Sequence, residues 1–106
     1  MNDIYELQDA IRKSQGAEPV HVLSQPVHEE FQGRTVWDGI VEVFELIGHK
    51  TSHRAYAWTH LTGDPNSPKR HVTVLHYGPI NSPENAVRAF IIQEYRDAQA
   101  AKTQEA

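Results

Sequence analysis

The sequence predicts an α+β fold: an N-terminal helix, an antiparallel sheet of three to four strands in a meander, and a C-terminal helix packed on one sheet face. Three observations support this class. Apolar residues recur at helical spacing near both ends, strand-like segments with bulky side chains fill the middle, and turn-forming segments separate them. At 106 residues the chain is expected to form a single domain, residues 1–106.

The first predicted element is a helix from Asp3 to Lys13. Its apolar residues Ile4, Leu7 and Ile11 fall on one face. Gly16 is suited to cap its C-terminal end. A helix of roughly three turns is not stable in isolation, so we expect it to dock on the sheet.

The middle of the chain predicts the strands. A short strand is compatible with residues 20–23, and residues 27–31 read as an edge strand protected by Pro26 and by neighbouring glutamates. Longer strands are predicted at 35–47, 53–61 and 70–77. Gly39 lies inside the first of these, which indicates a bulge, a bend or a close approach of another group.

A predicted turn at 48–52 sets the pairing of the two central strands. It places Glu45 opposite Arg54 and then β-branched residues opposite aromatic ones. One face carries the small residues Ala55 and Ala57, a trough that a helix can approach closely. The other face, called the aromatic face below, carries Trp37, Val41, Val43, Tyr56 and Trp58.

The C-terminal helix has the clearest start signal in the chain. Ser82 is a typical N-cap, Pro83 suits the first helical position, and Glu84 complements the helix dipole. An apolar stripe continues to Ala98. We expect residues 99–106 to fray.

Both faces of the central strands are apolar, so the sheet needs a cover on each side, and a short chain has few helices to offer. Three interpretations of the aromatic face stay open: core under the N-terminal helix, a homo-oligomer interface, or a small-molecule pocket. Our first hypothesis is a non-enzymatic binding or accessory domain. It self-associates through the aromatic face as a dimer or larger assembly and presents a pocket for a small organic ligand.

The alternative hypothesis is a small acid–base enzyme of hydrolase or isomerase type. Its candidate catalytic residues are His60, His76 and Asp38, which must converge on one cavity to act together. Asp38 and Glu42 share a face with apolar neighbours, which predicts partial burial of both carboxylates. The seven histidines lack the spacing of a metal site, and no residue pattern calls for a cofactor.

Composition argues against several other classes. The chain has no cysteine, which excludes disulfides and a cysteine nucleophile. Its 10 basic residues are scattered among 14 acidic ones, unlike the basic surfaces that bind nucleic acid. No apolar run is long enough to cross a membrane and no signal-like segment opens the chain, so we expect a soluble cytoplasmic protein.

The order of helix, three strands and helix resembles the double-stranded-RNA-binding domain. That family begins its second helix with lysine-rich residues that contact phosphate. The matching stretch here is Ser82-Pro83-Glu84-Asn85-Ala86-Val87, with one glutamate and no lysine. The resemblance is therefore one of element order, and RNA binding is not expected.

Overall fold

A computed structural model describes residues 2–105, with side chains through residue 100. The four strands form one antiparallel sheet in the order β1-β2-β3-β4, with a helix at each end of the chain. The predicted α+β fold is confirmed. The elements are α1 (Ile4–Gln15), β1 (Glu18–Phe31), β2 (Arg34–Ile47), β3 (Arg54–Leu61), β4 (Lys69–Leu75) and α2 (Pro83–Glu105).

β1 corrects one part of the prediction. The segments 20–23 and 27–31 are not separate strands, because β1 is continuous over 14 residues. Pro26 lies inside β1 without ending it, since β1 is an edge strand and its outer side needs no hydrogen-bond donor. The pairing with β2 shifts by one residue between His21 and Leu23. This bulge changes the face on which the later residues of β1 lie.

α1 covers the small-residue face of the sheet, as the trough predicted. Asp3 caps its start by accepting the N–H of Glu6 at 3.1 Å, and Gly16 ends it with φ of 63°. Leu7 and Ile11 of α1 are fully buried between the helix and the sheet. The two side chains pack in one cluster with Ala17, Phe44, Leu46, Ala55 and Ala57.

α2 covers the aromatic face. Its Val87 and Phe90 pack in the same cluster as Tyr56 and Trp58. The interpretation that this face lies under the N-terminal helix is therefore wrong. The expectation that the chain has too few helices to cover both faces of the sheet is also wrong, because α1 covers one face and α2 covers the other.

The start of α2 agrees with the prediction. The Oγ of Ser82 accepts the N–H of Asn85 at 3.2 Å, which confirms the predicted cap. The helix continues past the end of its apolar stripe at Ala98 to Glu105. Fraying of residues 99–106 stays a prediction, and Ala106 lies outside the described residues. Neither helix within residues 2–105 combines the length and apolar character that a membrane span requires.

Candidate functional site

The sheet splits between β2 and β3. The predicted register is confirmed where Glu45 pairs with Arg54, but the ladder ends at Glu42 and Ala57. Beyond this point β2 stays paired with β1, and β3 stays paired with β4. The two hairpins therefore separate and leave a cleft of about 670 Å³. Its lining, which defines the cleft below, comprises Asn2, residues 37–40, residues 58–61 and Lys69.

Asn2 lies at the point where the two strands part. Its Oδ1 accepts the backbone N–H of Thr59 at 2.8 Å, and its Nδ2 donates to the backbone oxygen of Ile40 at 2.7 Å. The side-chain amide thus connects the two strands in place of a direct backbone hydrogen bond between them. Direct pairing of β2 and β3 at this level is blocked while the bridge is in place.

A buried carboxylate anchors Asn2. The Oε2 of Glu42 accepts a second hydrogen bond from Nδ2 of Asn2 at 3.0 Å. Its Oε1 is bonded by the hydroxyl of Ser24 and lies 3.0 Å from Nε2 of His21. Glu42 is 4% exposed, so the predicted burial of this carboxylate is confirmed. The predicted burial of Asp38 is wrong, because that residue is exposed at the cleft mouth.

Aromatic rings build one wall of the cleft. Trp37 and Trp58 meet edge to face with centroids 5.5 Å apart. Phe90 of α2 meets Trp58 in the same way at 5.4 Å and also contacts the ring of His60 at 5.4 Å. Trp58 is 2% exposed, whereas Trp37 is only partly buried. Trp37 is therefore the more solvent-accessible of the two tryptophan rings.

Gly39 makes room for the Trp37 ring. A Cβ at this position would lie 3.1 Å from Cη2 of Trp37, closer than ordinary van der Waals contact. The expected close approach at Gly39 is confirmed, and the approaching group is a side chain two residues away on the same strand. The glycine thus sets the position of the accessible aromatic ring in the cleft.

One buried donor beside the cleft has no partner among the described residues, and two charged side chains line the cleft. Trp58 buries its Nε1 without a hydrogen-bond partner among the described residues. An unsatisfied buried donor costs about 1–3 kcal/mol, so it is an unusual feature for a well-packed core. Asp38 and Lys69 place opposite charges on opposite walls, and both residues are exposed.

A histidine of the adjacent hairpin neighbours the cleft mouth. Nε2 of His28 lies 3.0 Å from Glu30, and its Nδ1 lies 3.7 Å from Asp38. The hydrogen bond with Glu30, assisted by the charge of Asp38, raises the pKa of the His28 imidazole. Acidification therefore adds positive charge beside the cleft.

The three predicted catalytic residues do not come together. Asp38 and His60 line the cleft, but strand alternation places them on opposite sheet faces. His76 follows β4 at the other end of the sheet, six residues beyond the Arg70 that pairs with His60. That separation is about 20 Å along a strand. The acid–base arrangement required by the alternative hypothesis is absent.

His76 instead bonds a buried tyrosine. Its Nδ1 lies 2.8 Å from the hydroxyl of Tyr56, and its ring lies 4.9 Å from that of His53. Burial raises the pKa of the Tyr56 hydroxyl. Tyr56 is 1% exposed, so His76 satisfies a hydroxyl of the core at a distance from the cleft.

The structure also places the residues predicted for self-association. Four side chains of the aromatic face are buried beneath α2, and the fifth, Trp37, lines the cleft. Contact between two copies through the buried four would require α2 to leave the sheet. Self-association through another surface stays a prediction. The buried residues are Val41, Val43, Tyr56 and Trp58.

Neither composition nor periodicity indicated the cleft or the role of Asn2, because Asn2 is 38 and 57 positions from its backbone partners. Among the described residues no cluster of three or more His, Cys, Asp or Glu side chains could hold a metal ion. Comparison with family models, curated proteins and solved structures found no significant match to this chain.

Proposed function

We propose that this protein is a binding domain whose cleft between β2 and β3 holds an organic ligand with a flat apolar portion. The observation that carries the proposal is the cleft itself. Its volume of about 670 Å³ falls within the range of roughly 300–1,000 Å³ typical of ligand sites. Its lining combines an aromatic wall with a few polar groups, which is the usual composition of such sites.

Different side chains of the cleft would make different contacts with the ligand. Trp37 offers a flat surface for stacking, and Trp58 supports it from behind through their edge-to-face contact. Asp38 and Lys69 offer one charge of each sign at the rim. Polar groups at a rim orient a ligand, whereas the buried apolar area supplies most of its affinity.

The opening is part of the fold. If β2 and β3 paired along their whole length, the ladder would close the cleft. Asn2 occupies both strand edges at the branch point, and Glu42 holds Asn2 from the buried side. The cleft is therefore maintained by a hydrogen-bonded bridge with a buried anchor.

The test uses 2-naphthoate as the probe, titrated into the full chain while amide chemical shifts and tryptophan fluorescence are recorded. We expect saturable 1:1 binding, with shifts concentrated at residues 37–40 and 58–61. Trp37→Ala should weaken binding at least tenfold because it removes the accessible ring. Phe31→Ala is the matched control, since Phe31 is exposed on the same hairpin and does not line the cleft.

Three results would contradict the proposal. The first is the absence of saturable binding to the folded protein, and the second is a set of shift changes that map outside the cleft. The third is an equal loss of affinity in Trp37→Ala and Phe31→Ala. Any of these results would contradict the assignment of a flat apolar ligand to the cleft.

A further inference from the structure

We infer that the ligand of the cleft is an extended peptide that inserts as a short strand between β2 and β3. This inference rests on the proposed function and specifies its ligand class. It is carried by the free strand edges and by the way in which Asn2 bonds both edges.

Both walls present backbone groups to the cleft. The carbonyl of Ile40 and the N–H of Thr59 face inward, because each bonds Asn2 there. In an antiparallel strand the N–H and C=O of one residue point to the same edge, and the next residue points to the other edge. Asp38 on β2 and Leu61 on β3 therefore also direct their backbone groups into the cleft, beyond the end of the ladder.

Asn2 shows which chemical group these edges accept. Its side chain is a primary amide, with the same donor and acceptor types as a peptide bond. It accepts from β3 and donates to β2 at 2.8 and 2.7 Å, as an inserted backbone would. An extended peptide placed beyond Asn2 would repeat this pattern at the next cleft-facing residues. A flat aromatic molecule without amides would leave those backbone groups unpaired.

The length of the walls limits the inserted segment to a short strand. Each wall supplies four residues, 37–40 and 58–61, which corresponds to about 13 Å of strand. Asn2 already bonds Ile40 and Thr59, so Asp38 and Leu61 are the cleft-facing residues of this lining that a peptide would pair with. Because β2 and β3 are antiparallel, the peptide runs antiparallel to one wall and parallel to the other.

The side chains of the walls define the preferred peptide. On the face of α2 the inserted strand meets Trp37 and His60, and on the face of α1 it meets the exposed Ile40 and Leu61. Both faces of the peptide should therefore be apolar at its centre. Asp38 and Lys69 lie on opposite walls at the same open end of the cleft, because the continued β2–β3 register places Asp38 level with Leu61, which pairs with Lys69. The occupant is thus an extended segment that is apolar at its centre.

The experiment compares three probes on the full chain: the capped peptide acetyl-Lys-Val-Tyr-Val-Glu-amide, its analogue N-methylated at alternate residues, and 2-naphthoate. Amide hydrogen exchange follows the N–H groups of Asp38 and Leu61. We expect the capped peptide to slow exchange at both sites. N-methylation removes donors from one edge of the peptide without shortening it, and should weaken binding at least tenfold.

The outcomes separate the two proposals. Binding of the peptide with protection at Asp38 and Leu61, weakened by N-methylation, supports the inference. Binding of 2-naphthoate without the peptide, or equal binding of both peptides, overturns the peptide class but keeps the proposed function. Failure of all three probes overturns both. Amide protection at Asp38 and Leu61 that increases with protein concentration in the absence of any probe would assign the cleft to a second copy of the chain. That result would overturn the peptide partner.

Discussion

The two halves of the β2–β3 junction show different ways of completing a sheet. In the closed half, Glu42–Glu45 pair with Arg54–Ala57 and the faces are covered by α1 and α2. In the open half, residues 34–41 and 58–61 have no shared ladder, and one asparagine bridges the strands where they part. Phe44 in the closed half is fully buried, whereas Ile40 in the open half is 41% exposed. The open half contributes Val41 and Trp58 to the core, but its other side chains are more exposed than those of the closed half.

A charge at Trp58, the buried core residue of the open half, should have the largest effect. Trp58→Arg places a guanidinium among residues that α2 and the sheet bury completely, without an acidic partner in that cluster. We expect global unfolding, with a loss above about 4 kcal/mol. Circular dichroism on heating measures this loss. Phe31→Arg on the exposed hairpin is the control, and a folded Trp58→Arg variant would contradict the core assignment.

A pair of truncations compares the two halves directly. Phe44→Ala should destabilise the protein by about 3–5 kcal/mol, because it removes a ring from the closed half. Ile40→Ala should change the stability by no more than about 0.5 kcal/mol, since that side chain is partly in solvent. Urea unfolding gives both values. Equal losses would show that the open half is as tightly packed as the closed half.

Removal of the bridge at the branch point should have an intermediate effect. Asn2→Ala deletes three hydrogen bonds and leaves Glu42 with fewer partners. We expect a loss of about 1–3 kcal/mol and faster hydrogen exchange at the N–H of Thr59. Asn66→Ala in the β3–β4 loop is the matched control, because its side chain is exposed. Unchanged exchange at Thr59 would contradict the bridging role of Asn2.

The smallest effect concerns the pH dependence that arises from His28 of β1, beside the cleft. Glu30 and Asp38 raise the pKa of His28 above its ordinary value of 6.5. A raised folded-state pKa gives stabilisation that is complete below the unfolded-state pKa and is lost as pH rises through the folded-state value. Glu30→Gln should lower the pKa of His28, as measured by an NMR titration of the imidazole. An unchanged titration midpoint would exclude the hydrogen bond as the cause.

Self-association is tested separately, by light scattering across a dilution series. A dimer that survives dilution would confirm the prediction, but its contact would have to lie outside the four residues buried beneath α2. A monomer at micromolar concentration would contradict it.

Local signals in the sequence determined the elements and part of their pairing. Asp3 and Gly16 at the ends of α1, and Ser82 before α2, form caps through neighbouring residues, so their roles are readable from short range. The pairing of Glu45 with Arg54 followed from the turn between them. Alternation in β2 and β3 correctly sorted small and aromatic residues onto opposite faces, because side-chain direction in a strand repeats every two residues.

Tertiary structure alone decided what covers each face and where the sheet opens. Both faces are apolar, so periodicity does not assign either helix to a face; packing of α1 on Ala55 and Ala57 makes that choice. The bulge after His21 places Ser24 opposite Glu42. Without the bulge, Ser24 would pair with Val41 instead. Asn2 reaches its partners across long stretches of chain. The cleft therefore depends on contacts between distant residues, which local propensity does not encode.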